Sequence, residues 1–159
     1  MKKNLFALIL LSTATITLFS CKKNNDIPAN EITDSQGLNV KLNWSLTDGT
    51  DAIAGADIDY HIYKGVGAGK ESSPQLSGNN SGSFEDENFL GTLADGDYTL
   101  EIEYFEITKG GKFNVVFKAI ESDKSYSFSE NAFTTSSAGQ SVDFIKITKA
   151  GTKYTVSKL

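Results

Sequence analysis

The chain has 159 residues, 20 acidic against 15 basic side chains, and a formal charge of −5. Every basic residue is Lys; the absence of Arg, the side chain best suited to bidentate grips on phosphate or guanine, together with the negative charge, argues against a nucleic-acid binder or a basic patch on anionic headgroups. One Cys and one His exclude an internal disulfide and a Cys/His metal centre.

The first element is a leader. Met1-Lys2-Lys3-Asn4 is a short basic start, and Leu5 to Phe19 follows without a charge. Those 15 residues span about 22 Å as a helix, short of the roughly 30 Å of a bilayer core, so they read as a secretory h-region rather than a spanning anchor. Leu18-Phe19-Ser20-Cys21 then resembles the lipobox of bacterial lipoproteins. The resemblance implies cleavage after Ser20, a diacylglyceryl group on the Cys21 thiol, and anchoring in the bilayer by two or more acyl chains. Lys22 to Gln36, with Pro28 and few large apolar residues, reads as a flexible tether. It resembles the tethers of outer-membrane lipoproteins. The expected organisation is a signal peptide over 1–20, a lipidated Cys and tether over 21–36, and one domain over 37–159.

From Gly37 onward the sequence alternates. Leu38, Val40, Leu42, Trp44 and Leu46 are separated by polar residues, the pattern of a strand with one buried face. Ile58-Tyr60-Ile62, Tyr98-Leu100-Ile102-Tyr104 and Phe113-Val115-Phe117-Ala119 repeat it. Tyr126-Phe128, Val142-Phe144-Ile147 and Tyr154-Val156 add shorter runs, with Phe84 and Phe89-Leu90 as one more. Gly110-Gly111 and Ala150-Gly151 read as hairpin connections, and Ala94-Asp95-Gly96-Asp97 as a tight turn. Seven to nine strands with no helical periodicity predict an all-β fold, an antiparallel β-sandwich of jelly-roll type, with Trp44, Tyr98 and Phe117 in its core. Gly65 to Ser83 holds five Gly, five Ser and one Pro and reads as a mobile loop.

Leu42-Asn43-Trp44-Ser45, Ala56 to Tyr63 (ADIDYHIY) and Gly96 to Ile102 (GDYTLEI) together resemble the bacterial pre-peptidase C-terminal domain. That family pairs a D-x-D strand with a later G-x-Y strand in a jelly-roll sandwich. The resemblance implies an accessory module of secreted enzymes, some members of which bind collagen or calcium.

Candidate sites follow from residue chemistry. Asp57 and Asp59 share one face of a strand. If Asp48, Asp51, Glu85, Asp86 and Glu87 converge on them, the oxygens suit calcium, the one cofactor the sequence suggests. His61 shares that face and is a potential base, but no Ser stands in a nucleophile-elbow context. Tyr63 and Phe105 sit at outward positions and are candidates for stacking on a glycan or anchoring a partner protein. Gly65-Val66-Gly67-Ala68-Gly69-Lys70 lacks the first Gly of a phosphate loop, has Glu71 where Ser or Thr is required, and opens no helix, so nucleotide binding is rejected. Asn43-Trp44-Ser45 and Asn79-Asn80-Ser81 match the glycosylation triplet by coincidence. The expected function is an outer-membrane lipoprotein, on its periplasmic or surface face, that is a non-enzymatic binding or accessory module. The alternatives are a structural or assembly lipoprotein and a small hydrolase.

Overall fold

A computed structural model describes residues 30–79 and 82–159. The leader, Cys21, and Asn80 and Ser81 of the second glycosylation triplet lie outside the described residues. The described chain forms an antiparallel β-sandwich. Its strands are β1 (Glu31–Thr33), β2 (Gly37–Leu46), β3 (Ala56–Lys64), β4 (Leu76–Gly78), β5 (Phe84–Leu90), β6 (Gly96–Ile107), β7 (Gly111–Ala119), β8 (Ser125–Phe133), β9 (Gln140–Ala150) and β10 (Lys153–Lys158). A six-stranded sheet runs β1-β10-β9-β6-β3-β4, and a four-stranded sheet runs β5-β2-β7-β8. The only helical turns among the described residues are three short 3-10 segments.

The alternation dictates this arrangement. A side chain reverses face at each residue of a strand, so every second apolar residue meets the opposite sheet. On β2, Leu38, Val40 and Leu42 are fully buried. They face Ile58, Tyr60 and Ile62 of β3 and Leu100 and Ile102 of β6, all equally buried. Trp44, Tyr98 and Phe117 lie in this core as expected. Two polar tips stitch the sheets together. The Trp44 indole donates to the Ala56 carbonyl at 3.1 Å, and the Tyr60 hydroxyl donates to the Val40 carbonyl at 2.9 Å. Gly78 makes room for the second contact, because a Cβ there would stand 2.5 Å from the Tyr60 ring.

Four expectations are corrected. The tether is shorter than read: β1 pairs with β10 through Glu31↔Thr155 and Thr33↔Lys153, and Ile32 is fully buried. Asp34 then accepts backbone N–H groups from Gln36, Gly37 and Glu121, fixing the passage into β2. The segment after Gly65 is held rather than slack. Gly65 at φ +90° and a 3-10 turn at Gly67–Gly69 fold it back, and the Glu71 and Gln75 amides bond to the Lys64 and Ile62 carbonyls before β4 pairs with β3. The connection at Thr108 to Lys112 is a crossing from one sheet to the other, since β6 and β7 belong to different sheets. On β9 a bulge opposite Leu100/Glu101 shifts the phase. Ile145 and Ile147 are buried, Val142 is exposed, and Phe144 packs on Phe113.

Candidate functional site

The outer face of the six-stranded sheet carries the residues singled out on β3 and β6. Asp57, Asp59, His61 and Tyr63 alternate with the buried Ile58, Tyr60 and Ile62, so all four point away from the core. Register sets Thr99 beside Tyr63, Glu101 beside His61, Glu103 beside Asp59 and Glu106 beside Asp57. The face divides into three groups along the strands.

At the first, Lys70 reaches back from the glycine turn. Its Nζ lies 2.6 Å from Glu101 and 2.5 Å from Asp143 of β9, and 4.8 Å above the Tyr63 ring. The glycines that imitate a phosphate loop thus shape a turn that delivers a lysine to carboxylates. Tyr63 is half-buried beneath that lysine.

In the middle, His61 Nδ1 is hydrogen bonded to Ser77 Oγ of β4 at 2.8 Å, and Nε2 to Glu103 at 2.8 Å. A Ser–His–carboxylate chain is the arrangement used to activate a nucleophile. Here it lies on an open sheet face, outside both cavities described below.

The third group holds Asp57, Asp59 and Glu106. Burial, then the neighbouring Glu106, pushes the Asp57 carboxyl above its ordinary range. Burial, then Asp57, pushes Asp59 up to about 6, with Glu103 adding to the effect and His61 opposing it. Asp57 and Glu106 line a cavity of about 200 Å³ whose other walls include Ile53, Ala54, Ala56 and Thr108. Ile53 is 58% exposed at its rim. Phe105, outward by alternation with Tyr104, lies at a one-residue bulge in β6 at this end and is 63% exposed. A second cavity, on the four-stranded sheet, is lined by Asn43, Ser45, Lys112, Asn114 and Glu130 among others.

The convergence of acids expected for calcium does not form. Asp48 is bonded to Lys109 and Thr50, and Asp51 caps the 3-10 turn at Ala52–Ala54. Glu85 points into the core, and Asp86 bonds to Asn39 on the other sheet. Among the described residues no group of three or more His, Cys, Asp or Glu side chains is placed to hold a metal ion. Tyr63 and Phe105 do not share a patch. Thr99, the partner of Tyr63, stands six positions along β6 from Phe105, about 20 Å at strand rise.

Sequence reasoning missed Ser77, Glu103, Glu106, Lys70 and Ile53. Glu103 carries a signal, since it alternates with Ile102 and Tyr104. Its neighbours on β3 follow only from the pairing of β3 with β6. Ser77 lies on a three-residue strand without periodicity. Among the described residues no helix is long and apolar enough to cross a membrane. No protein-family model, characterised protein or solved structure matches the chain.

Proposed function

We propose that the protein is an exported lipoprotein, anchored in the outer membrane through acylated Cys21, whose sandwich is a non-enzymatic binding module. The observation that carries the binding role is the end of the β3/β6 face. Many acids on the described domain are paired with lysines: Asp48 with Lys109, Asp95 with Lys149, Asp97 with Lys146, Glu31 with Lys153, Glu101 and Asp143 with Lys70. Among the described residues Asp57, Asp59 and Glu106 form no ion pair; they lie together on one face, and Asp57 and Glu106 line a cavity. Like charges placed directly across a strand pair destabilise the sheet, so the arrangement makes sense as part of a site completed from outside. The lipobox supports the anchor. The nine residues from Lys22 to Asn30 span at most about 30 Å, which holds the module close to the bilayer.

The test uses the full chain in its native envelope. Cys21→Ala is expected to move the protein from the membrane to the soluble fraction and to abolish labelling by a fatty-acid probe. Asp57→Asn/Glu106→Gln is expected to stay membrane-bound and folded, and to lose capture of envelope components after cross-linking. Equal capture by this variant and the parent chain sinks the binding role; unchanged fractionation of Cys21→Ala sinks the anchor.

A second reading, a small hydrolase, is favoured by one observation. Asp57 and Glu106 are cross-strand partners in one cavity, and paired carboxylates are what glycoside hydrolysis uses. Turnover of chromogenic glycosides, lost in Asp57→Asn, decides for it.

A further inference from the structure

We infer that two copies of this chain join edge to edge through β8, antiparallel about a two-fold axis at Ser127, so that their four-stranded sheets run on as one. The contact lies on the sheet opposite the β3/β6 face and is independent of what that face binds.

The edges of the two sheets differ in how they are protected. β1 and β4 have three residues each. β5 carries Glu85, Asp86 and Glu87 in succession. Short edges and charged edges are how sheets discourage a further strand. β8 has neither device over its first half. It is nine residues long and pairs only with β7. Ser125 to Ser129 contain no charge, no Gly and no Pro, and Ser125, Ser127 and Ser129 are exposed.

The phase of the ladder shows which backbone groups are open. The Ala119 amide donates to the Lys124 carbonyl at 2.9 Å, and these two residues stand directly opposite, one step beyond Lys118↔Ser125. Opposite residues of an antiparallel pair alternate between bonded and unbonded, so Lys124, Tyr126 and Phe128 turn their N–H and C=O groups to β7. Ser125, Ser127 and Ser129 turn theirs outward, and among the described residues no other backbone group meets them. Glu130, at φ +59° in the bulge, ends the open stretch and limits any pairing to these few residues.

This stretch is complementary to itself. With Ser127 opposite Ser127 of the second copy, Ser125 falls opposite Ser129, and about six backbone hydrogen bonds close. On the inner face, Tyr126 of each copy then stands opposite Phe128 of the other at the closer, unbonded positions. Tyr126 is only half-buried and lies 5.1 Å from Phe128 of its own chain, so the cross-strand pair extends an aromatic row already present. Charge fixes the direction. Lys124 and Glu130, both exposed, flank the uncharged stretch. Antiparallel pairing brings each Lys124 to the end where Glu130 of the other copy stands, whereas parallel pairing sets like against like. A second copy therefore supplies the match that an arbitrary strand lacks.

The test is sedimentation of the full-length chain in detergent from about 200 µM downward, a range that reaches weak interfaces. A reversible dimer is expected. Ser127→Pro removes an N–H that faces away from β7, and Ser127→Lys sets two ammonium groups against each other. Each is expected to weaken the dimer by roughly tenfold or more and to leave the Tm of the diluted chain near the parent's. Ser127→Lys keeps the β7 ladder intact and decides the question should proline disturb β8. Lys124→Glu is expected to weaken the dimer, and Lys124→Glu/Glu130→Lys to restore it. Ser127→Cys, about 5.5 Å from its counterpart between Cα atoms, is expected to form an intermolecular disulfide on oxidation beyond the background of the parent chain with its Cys21. Ser125→Cys, whose counterpart lies about 13 Å along the strands, is not. A chain that stays monomeric overturns the proposal, and slow hydrogen exchange at the Ser127 amide of that monomer would show the edge covered from within the same chain. A dimer held only by the lipid anchor survives both Ser127 variants and overturns it. Equal cross-linking at positions 125 and 127, or assembly beyond two copies, overturns it as well.

Discussion

Tyr60, on the six-stranded sheet, donates its hydroxyl across the core to the carbonyl of Val40 on the four-stranded sheet at 2.9 Å. The two residues come from successive long strands, so the bond fixes how β3 lies over β2. Burial, together with the nearby acids Glu87, Asp86 and Glu85, raises the phenol pKa and keeps it neutral. Tyr60→Phe preserves the ring and removes the donor. We expect it to destabilise the domain by about 1–3 kcal/mol, the penalty for a buried acceptor left without its partner. Denaturant unfolding followed by the fluorescence of the single tryptophan, Trp44, measures it.

The start of the domain makes a second prediction. A chain beginning at Gln36 lacks β1, and with it Ile32 and the carboxylate that gathers the Gln36, Gly37 and Glu121 amides. It is expected to unfold at markedly lower temperature than a chain beginning at Asn30. Asp34→Ala in the full chain isolates the clamp and is expected to cost at least about 1–3 kcal/mol, since several amides lose one acceptor together. If the two truncated chains melt alike, β1 contributes nothing.

Stability should depend on pH through Asp59. An unperturbed aspartate ionises near 3.8, whereas Asp59 in the folded domain does so at about 6. Between these values the folded chain holds a proton that the unfolded chain has released, so protonation favours folding. That contribution is complete below the lower value and is lost as pH rises through the upper one. Asp59→Asn is therefore expected to melt about 2–4 °C above the parent chain at pH 7.5 and to approach it at about pH 3, below both values, where the carboxyl is largely protonated folded and unfolded alike. Melting curves across this range check the crossing.

Lys70 makes a prediction about the segment that its composition describes as slack. Its ammonium joins Glu101 and Asp143 and lies 4.8 Å over the Tyr63 ring. Lys70→Met keeps the stem and removes the charge. We expect a loss of about 1–2 kcal/mol and faster cleavage at Glu71 by a glutamate-specific protease, with other sites unaffected.

How much of this is legible in the sequence depends on where each residue's partner lies. Strands β2, β3 and β7 are written plainly, because one face of each is buried and the apolar period is uninterrupted; on β6 the same period holds from Tyr98 to Tyr104, up to its bulge. Strands β1 and β4 are not. Each has three residues, and Ile32 is apolar for a reason held by Tyr154 and Val156 on β10. On β9 the bulge breaks the period that a reader relies on, so Val142 passes for core while Ile145 is overlooked. The site divides the same way. Asp57, Asp59, His61 and Tyr63 announce a shared face by their spacing. That Glu106 stands across from Asp57, or that Ser77 meets His61, follows from long-range pairing that no local pattern encodes.

The pairing of β1 with β10 also sets an order of events. Synthesis delivers β1 ahead of the other described strands and β10 after them, so this edge of the six-stranded sheet cannot close until β10 has left the ribosome. Until then Ile32 has no β10 to cover it, and the nascent chain keeps its amino-terminal end open. On the proposed route of export, a chain that crosses a membrane before it folds gains from such a delay, and β10 acts as its latch.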